Sequence, residues 1–206
     1  MIQRLALFSA LLAAPLPAKA PLRAPPPATV PHEDLVKVAI ETSAGRITVV
    51  LDRGHAPLTV ANFLRYVDTH HYDGQSFYRA MRYDHGGGLV QAGVRSDIRL
   101  LYPPVAHEPT SKTGLHNVKG TMVMARLDPG SARSDFFILA SDTPSFDAGG
   151  EGGDADGYAA FGHVVEGMDV VDKILHAPVS ATRGAGVMKG QMLSPVVRIV
   201  TAARLK

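Results

Sequence analysis

Phe77-Tyr78-Arg79-Ala80-Met81-Arg82-Tyr83-Asp84-His85-Gly86-Gly87-Gly88-Leu89-Val90-Gln91-Ala92-Gly93 is the stretch that the rest of the chain is read around. It sets Arg79 in a β-like segment, detours through three glycines and returns with Leu89 and Gln91 two residues apart. Side chains alternate along a strand, so Leu89 and Gln91 share a face. A guanidinium, an amide and an apolar side chain on one concave surface suit an extended peptide held by its backbone.

Upstream, Val36, Val38 and Ile40 alternate with Lys37, Ala39 and Glu41, and residues 47–51 form a second β-branched run beyond the turn at 42–45. This is a hairpin signal. Pro57 then opens a segment in which Val60, Phe63, Leu64 and Val67 fall at helical spacing, with proline where a first turn tolerates it. Downstream, residues 94–118 carry Pro103, Pro104 and Pro109 and read as a long loop over the body. Residues 120–125, 135–140, 158–165 and 196–200 are strand candidates. Turn chemistry at 128–131 and a Gly- and Asp-rich loop at 145–157 separate them. Val170, Val171, Ile174 and Leu175 mark a second short helix. Many short strands with two helices predict a mostly β fold, a closed antiparallel barrel capped by α-helices.

The 206 residues accommodate one domain with a short appendage. Residues 1–20 read as a secretory signal: a basic start at Arg4, an apolar run over 5–16 too short to span a bilayer, and Ala18-Lys19-Ala20 as a cleavage pattern. Pro21 directly after that pattern leaves open a cut elsewhere or a retained tether. Residues 21–34 hold five prolines and read as an extended linker, so the domain is expected over 35–206. The formal charge of +2 depends on Arg4 and Lys19; without them 19 basic residues meet 19 acidic ones. A nucleic-acid protein would keep a basic patch, so none is expected as partner. With no cysteine, thiolate catalysis, thiolate metal sites and a lipid-modified leader are excluded. Asp154-Ala155-Asp156-Gly157 is only a fragment of a calcium loop, and His55, His70, His71 and His85 lack metal-ligand spacing, so no metal is expected. No nucleophile elbow or phosphate loop occurs.

Taken together, Glu41-Thr42-Ser43-Ala44-Gly45 with Ala56-Pro57-Leu58-Thr59-Val60-Ala61-Asn62-Phe63, Tyr72-Asp73-Gly74, Phe77-Tyr78-Arg79, Gln91-Ala92-Gly93, Gly120-Thr121-Met122-Val123-Met124-Ala125-Arg126, Ser134-Asp135-Phe136-Phe137-Ile138 and Phe161-Gly162-His163-Val164 resemble, in order, the cyclophilin family of peptidyl-prolyl isomerases. The resemblance runs from about residue 35 to the C-terminus. It implies an eight-stranded β-barrel with two capping helices and cis/trans isomerisation of X-Pro bonds without a cofactor. The partners it implies are proline-containing peptides and unfolded proteins, met in the periplasm or after secretion. A monomer is expected, with no membrane association once the leader is removed.

Residue by residue, the resemblance makes Arg79 the catalytic arginine and Gln91 the groove glutamine. It makes Phe137 the floor of the proline pocket and Leu89, Phe146 and Tyr158 its walls. Ala125 and Arg126 match the strand that pairs with bound peptide. This chain departs from the pattern at residues 82–88, which replace Pro-Gly-Phe and leave Gly88 where an aromatic is usual. It departs again at Asp135, where glutamine is common, and at Ser145, where tryptophan is; Asp135 remains a candidate substrate-binding residue. Arg79 has a plainer alternative as a surface arginine paired with a carboxylate, Asp135 being the candidate, and Gln91 as a strand-edge hydrogen bonder. Of Phe136 and Phe137, one faces the core and the other the groove; the choice of Phe137 for the groove comes from the resemblance.

Overall fold

The computed structural model describes residues 34–151, 153 and 155–206. The expected leader and nearly all of the linker lie outside the described residues, as does Asp154 of the calcium-loop fragment. Leu35–Thr42 (β1) and Gly45–Asp52 (β2) pair antiparallel in continuous register from Leu35 opposite Asp52 to Thr42 opposite Gly45, forming the expected hairpin. Pro57–Asp68 (α1) follows, with Val60, Phe63, Leu64 and Val67 buried. No side chain of its own caps the start of α1. Glu108, reaching in from the long loop, accepts the backbone N–H groups of Leu58 (3.1 Å) and Thr59 (2.8 Å). A carboxylate there satisfies orphan donors and complements the helix dipole.

The chain continues through Ser76–Arg82 (β3), Gly88–Gly93 (β4), a one-turn helix Thr110–Thr113 (α2), Thr121–Met124 (β5), Phe136–Leu139 (β6) and Ala160–Glu166 (β7). Met168–Leu175 (α3), the two-residue Val179–Ser180 (β8) and Met192–Arg204 (β9) complete it. Spatial order is β1-β2-β7-β5-β6-β4-β3-β9, and β9 pairs back onto β1, which closes an eight-stranded antiparallel barrel; β8 sits outside, on β9. The expected barrel is present. Besides the two expected helices there is the single turn α2, inside what the sequence suggested was all loop. The last strand is much longer than 196–200. Pro195 looks like a strand breaker, yet it lies between the register pairs at Leu193 and Val197 and so owes the ladder no N–H.

Alternation gives each wall strand a core side. Met122, Met124, Phe136, Ile138, Val90 and Ala92 turn inward to a cluster that includes Phe63, Tyr72, Phe77 and Phe161. Phe136 is its hub, edge-on to Phe63, Tyr72 and Phe77 at 5.3, 5.6 and 5.9 Å between ring centres. The outward residues of the same strands, Leu89, Val123, Ala125, Phe137 and Leu139, form a second, separate apolar cluster. A small barrel filled by side chains leaves no lumen for a ligand. The second cluster, on the outer wall, is the candidate surface for a ligand.

Candidate active site

Strand register builds the site. Arg79 on β3 lies opposite Gln91 on β4, Gln91 opposite Phe137 on β6, and Phe137 opposite Val123 on β5. One transverse row thus runs from a cation to an apolar shelf, with neighbours roughly 4.8 Å apart. The next row is Met81, Leu89 and Leu139. β3 reaches this arrangement through a bulge between Phe77 and Arg79. Phe77 and Ala80 both face the core, so strict alternation from Phe77 would have turned Arg79 inward. The extra residue, Tyr78, shifts the phase and turns the arginine out.

Arg79 is only 8% exposed and Gln91 6%. Arg79 donates from Nη1 to Gln91 Oε1 (2.9 Å), from Nε to Gln191 Oε1 (2.8 Å) and from Nη2 to Met81 Sδ (3.2 Å). Every one of these partners is neutral, and burial pulls the guanidinium below its usual value. A guanidinium has five N–H groups, so two remain for a ligand. The sequence suggested Asp135 as a possible jailer of Arg79; instead Asp135 accepts from the Tyr78 hydroxyl (2.5 Å) and from Ser134 Oγ (3.2 Å).

Asp135 has room because position 93 is glycine; a Cβ there would stand 1.9 Å from its Oδ1. Burial raises the Asp135 carboxyl above the ordinary aspartate value, against hydrogen bonds from Tyr78, Ser134 and Gln91 and the charge of Arg95. The Tyr78 phenol is raised too, first by burial and then by the Asp135 charge. An acid raised in the fold stabilises it most below the unfolded value near 3.9, and that contribution is lost as pH rises through the folded value. Asp135→Asn is therefore expected to raise stability at pH 7 by on the order of 1 kcal/mol, the gain vanishing below about pH 4. Thermal unfolding of both proteins at the two pH values tests this; a variant less stable at pH 7 refutes it.

The shelf is aromatic. Phe137 lies 6.0 Å from Phe146 and 5.9 Å from Tyr158, and the latter two rings are 4.5 Å apart. Leu89, Val123, Ala125 and Leu139 complete it, with Met81 at its edge. The structure gathers Arg79, Gln91, Leu89, Ala125, Phe137, Phe146 and Tyr158 along one face; Asp135 adjoins them through Gln91, and Arg126 through the Tyr158 ring. Arg126 donates from Nε to the Gly157 carbonyl (3.1 Å) and from Nη1 to that of Leu127 (3.0 Å), and its guanidinium carbon is 4.8 Å from the Tyr158 ring centre. It braces the wall. Ala125 donates its N–H to the Asp135 carbonyl (2.9 Å) just past the end of β5.

Three contributors were missed. Met81 was visible in principle, two residues beyond Arg79 on one strand. Gln191 is 112 residues from Arg79 and gave no signal. Tyr83, in the unusual 82–88 segment, meets Thr143 Oγ1 through its hydroxyl (3.3 Å), stacks on His85 at 5.5 Å, and is close enough for the Arg79 charge to act on its phenol. Arg82 ties the same segment to the end of α3 by donating to the carbonyls of Leu175 and Ala177, both at 2.9 Å. Gly88 has φ +142° and a Cβ there would fall 2.0 Å from the Met81 carbonyl oxygen, so no aromatic fits at that position. Tyr83 brings a ring to this rim from five residues earlier.

The family model described as cyclophilin type peptidyl-prolyl cis-trans isomerase/CLD matches residues 37–203. Peptidyl-prolyl cis-trans isomerase A of Dickeya dadantii is 42% identical over 141 residues, 66% of this chain and 70% of that protein. Peptidyl-prolyl cis-trans isomerase cyp18 of Streptomyces antibioticus is 39% identical over 150 residues, 71% and 87% of the two chains. A crystal structure of a Cryptosporidium parvum cyclophilin type peptidyl-prolyl cis-trans isomerase superposes with a TM-score of 0.65 at 18% identity, covering 84% of this chain and 98% of that one; it speaks for the fold alone. With the match extending from the first strand to the last, the chain belongs to the cyclophilin-type peptidyl-prolyl cis-trans isomerases.

Proposed function

We propose that this groove catalyses rotation about X-Pro bonds in exposed or unfolded polypeptide, with Arg79 as the catalytic donor. The observation that carries the reading is an arginine buried among neutral acceptors at one end of an aromatic shelf. The barrier to rotation, about 18–20 kcal/mol, comes from amide resonance. As the bond twists, the proline nitrogen becomes pyramidal and gains a lone pair that accepts a hydrogen bond. The proline ring packs on Phe137 between Phe146 and Tyr158, the acyl side turns, and a remaining Arg79 N–H meets the nitrogen. Gln91 holds the Nη1 side of the guanidinium towards the shelf. A donor that binds the twisted state more strongly than the planar one lowers the barrier. No proton changes hands and no cofactor takes part.

The leader read over residues 1–20 supports work in the periplasm or after secretion, and Edman sequencing of protein recovered from envelope and medium tests that. An N-terminus at Met1 in the cytoplasmic fraction rejects it. For the activity, the cis-to-trans rate of a proline tetrapeptide with and without the full chain is decisive. Acceleration supports the enzyme; peptide binding without acceleration would make the barrel a proline-peptide receptor or holdase instead.

A further inference from the structure

Gln191 is held at four points. Its carbonyl accepts the Ala80 N–H (2.9 Å), its N–H donates to the Met188 carbonyl (3.1 Å), its Nε2 donates to the Val187 carbonyl (2.9 Å) and its Oε1 accepts from Arg79 Nε (2.8 Å). The backbone bond to Ala80 fixes Gln191 beside the residue that follows Arg79. The two bonds into the 187–188 turn fix which way its amide is presented, because an Nε2 spent on a carbonyl leaves Oε1 to face the guanidinium. That turn projects into solvent, with Val187 85% exposed.

We propose that Gln191 is a positioning residue for the isomerase reaction: it fixes the plane of the Arg79 guanidinium through Nε, so that the two unspent N–H groups stay in register with the proline nitrogen. Gln91 at Nη1 and the weak thioether acceptor of Met81 at Nη2 hold only the terminal edge of the planar group; the acceptor at Nε fixes its other edge, on the side of the stem. An amide does this without neutralising the charge, which a carboxylate at residue 191 would do. The turn from Arg183, whose carbonyl accepts the Gly190 N–H (3.1 Å), to Gly190 thereby supports the orientation of Arg79 through Gln191.

The proposal rests on the reading of Arg79 above, and the test separates the two. Gln191→Met keeps bulk and removes the acceptor. In the full chain it is expected to lower kcat about tenfold, within the range seen for misplaced catalytic groups, with KM and melting temperature unchanged. In an Arg79→Ala background the same change is expected to alter kcat less than twofold, since the group it positions is gone. The Arg79 Nε–H signal in a 15N spectrum should lose its hydrogen-bonded shift in Gln191→Met. A kcat within twofold of the parent overturns the proposal, as does an equal loss in both backgrounds, which would mean action through the fold. If Arg79→Ala itself retains full activity, the Arg79 reading has failed and this proposal falls with it.

Discussion

Arg79→Ala is expected to lower kcat/KM for a proline peptide by about 10²–10³, the scale for removing one preorganised donor at a site of developing charge. Peptide affinity should change less than tenfold, because the shelf of Phe137, Phe146 and Tyr158 is untouched. Arg79→Lys should recover little. An ammonium has no planar fork, so it cannot bond Gln191 and Gln91 from two edges and still offer a donor at the same place. Steady-state kinetics beside isothermal titration separate the two quantities. A lysine variant with more than half of the parent rate would show that charge alone suffices and that the fixed geometry is irrelevant.

The second large effect separates two adjacent phenylalanines. Phe136→Ala removes the hub of the ring cluster and should cost about 3–5 kcal/mol, because Phe63 of α1, Tyr72 of the turn after it and Phe77 of β3 all lose an edge-on partner and the closed barrel limits collapse onto the gap. Phe137→Ala opens a space on the outer wall that water can fill, so the expected cost is about 1–2 kcal/mol while most peptide binding is lost. Urea titration together with peptide binding reads both. Equal destabilisation by the two substitutions would mean that the outer cluster is a true core and not a groove.

Much of this site was legible because strands alternate. Leu89 and Gln91 on one face, and one inward and one outward phenylalanine in β6, follow from a period of two; which phenylalanine turned outward did not, because Phe136 with Ile138 and Phe137 with Leu139 are equally apolar sets. Arg79 shows where periodicity fails. Counting from Phe77 sends it into the core, and only the bulge at Tyr78 brings it out. A bulge is set by pairing with two other strands, here β4 and β9, which no local window contains. Gln191 was illegible for the same reason at longer range: its role exists only because β9 lies beside β3 in the closed barrel. The glycine run at 86–88 was readable as a detour, but that Gly88 excludes an aromatic while Tyr83 supplies one depends on the position of the Met81 carbonyl. Boundaries of β9 were missed because Pro195 is unfavourable only where the ladder needs its N–H.

The account turns on whether Arg79 acts on the twisted bond and not on the bound peptide. The most direct measurement is exchange NMR of a proline peptide saturated with the full chain, which reads the cis/trans rate on the enzyme apart from binding. The account predicts that Arg79→Ala slows this bound-state exchange by a hundredfold or more at an unchanged share of bound peptide. Unchanged exchange in the bound state, with the loss confined to affinity, would contradict it and leave Arg79 as a binding residue.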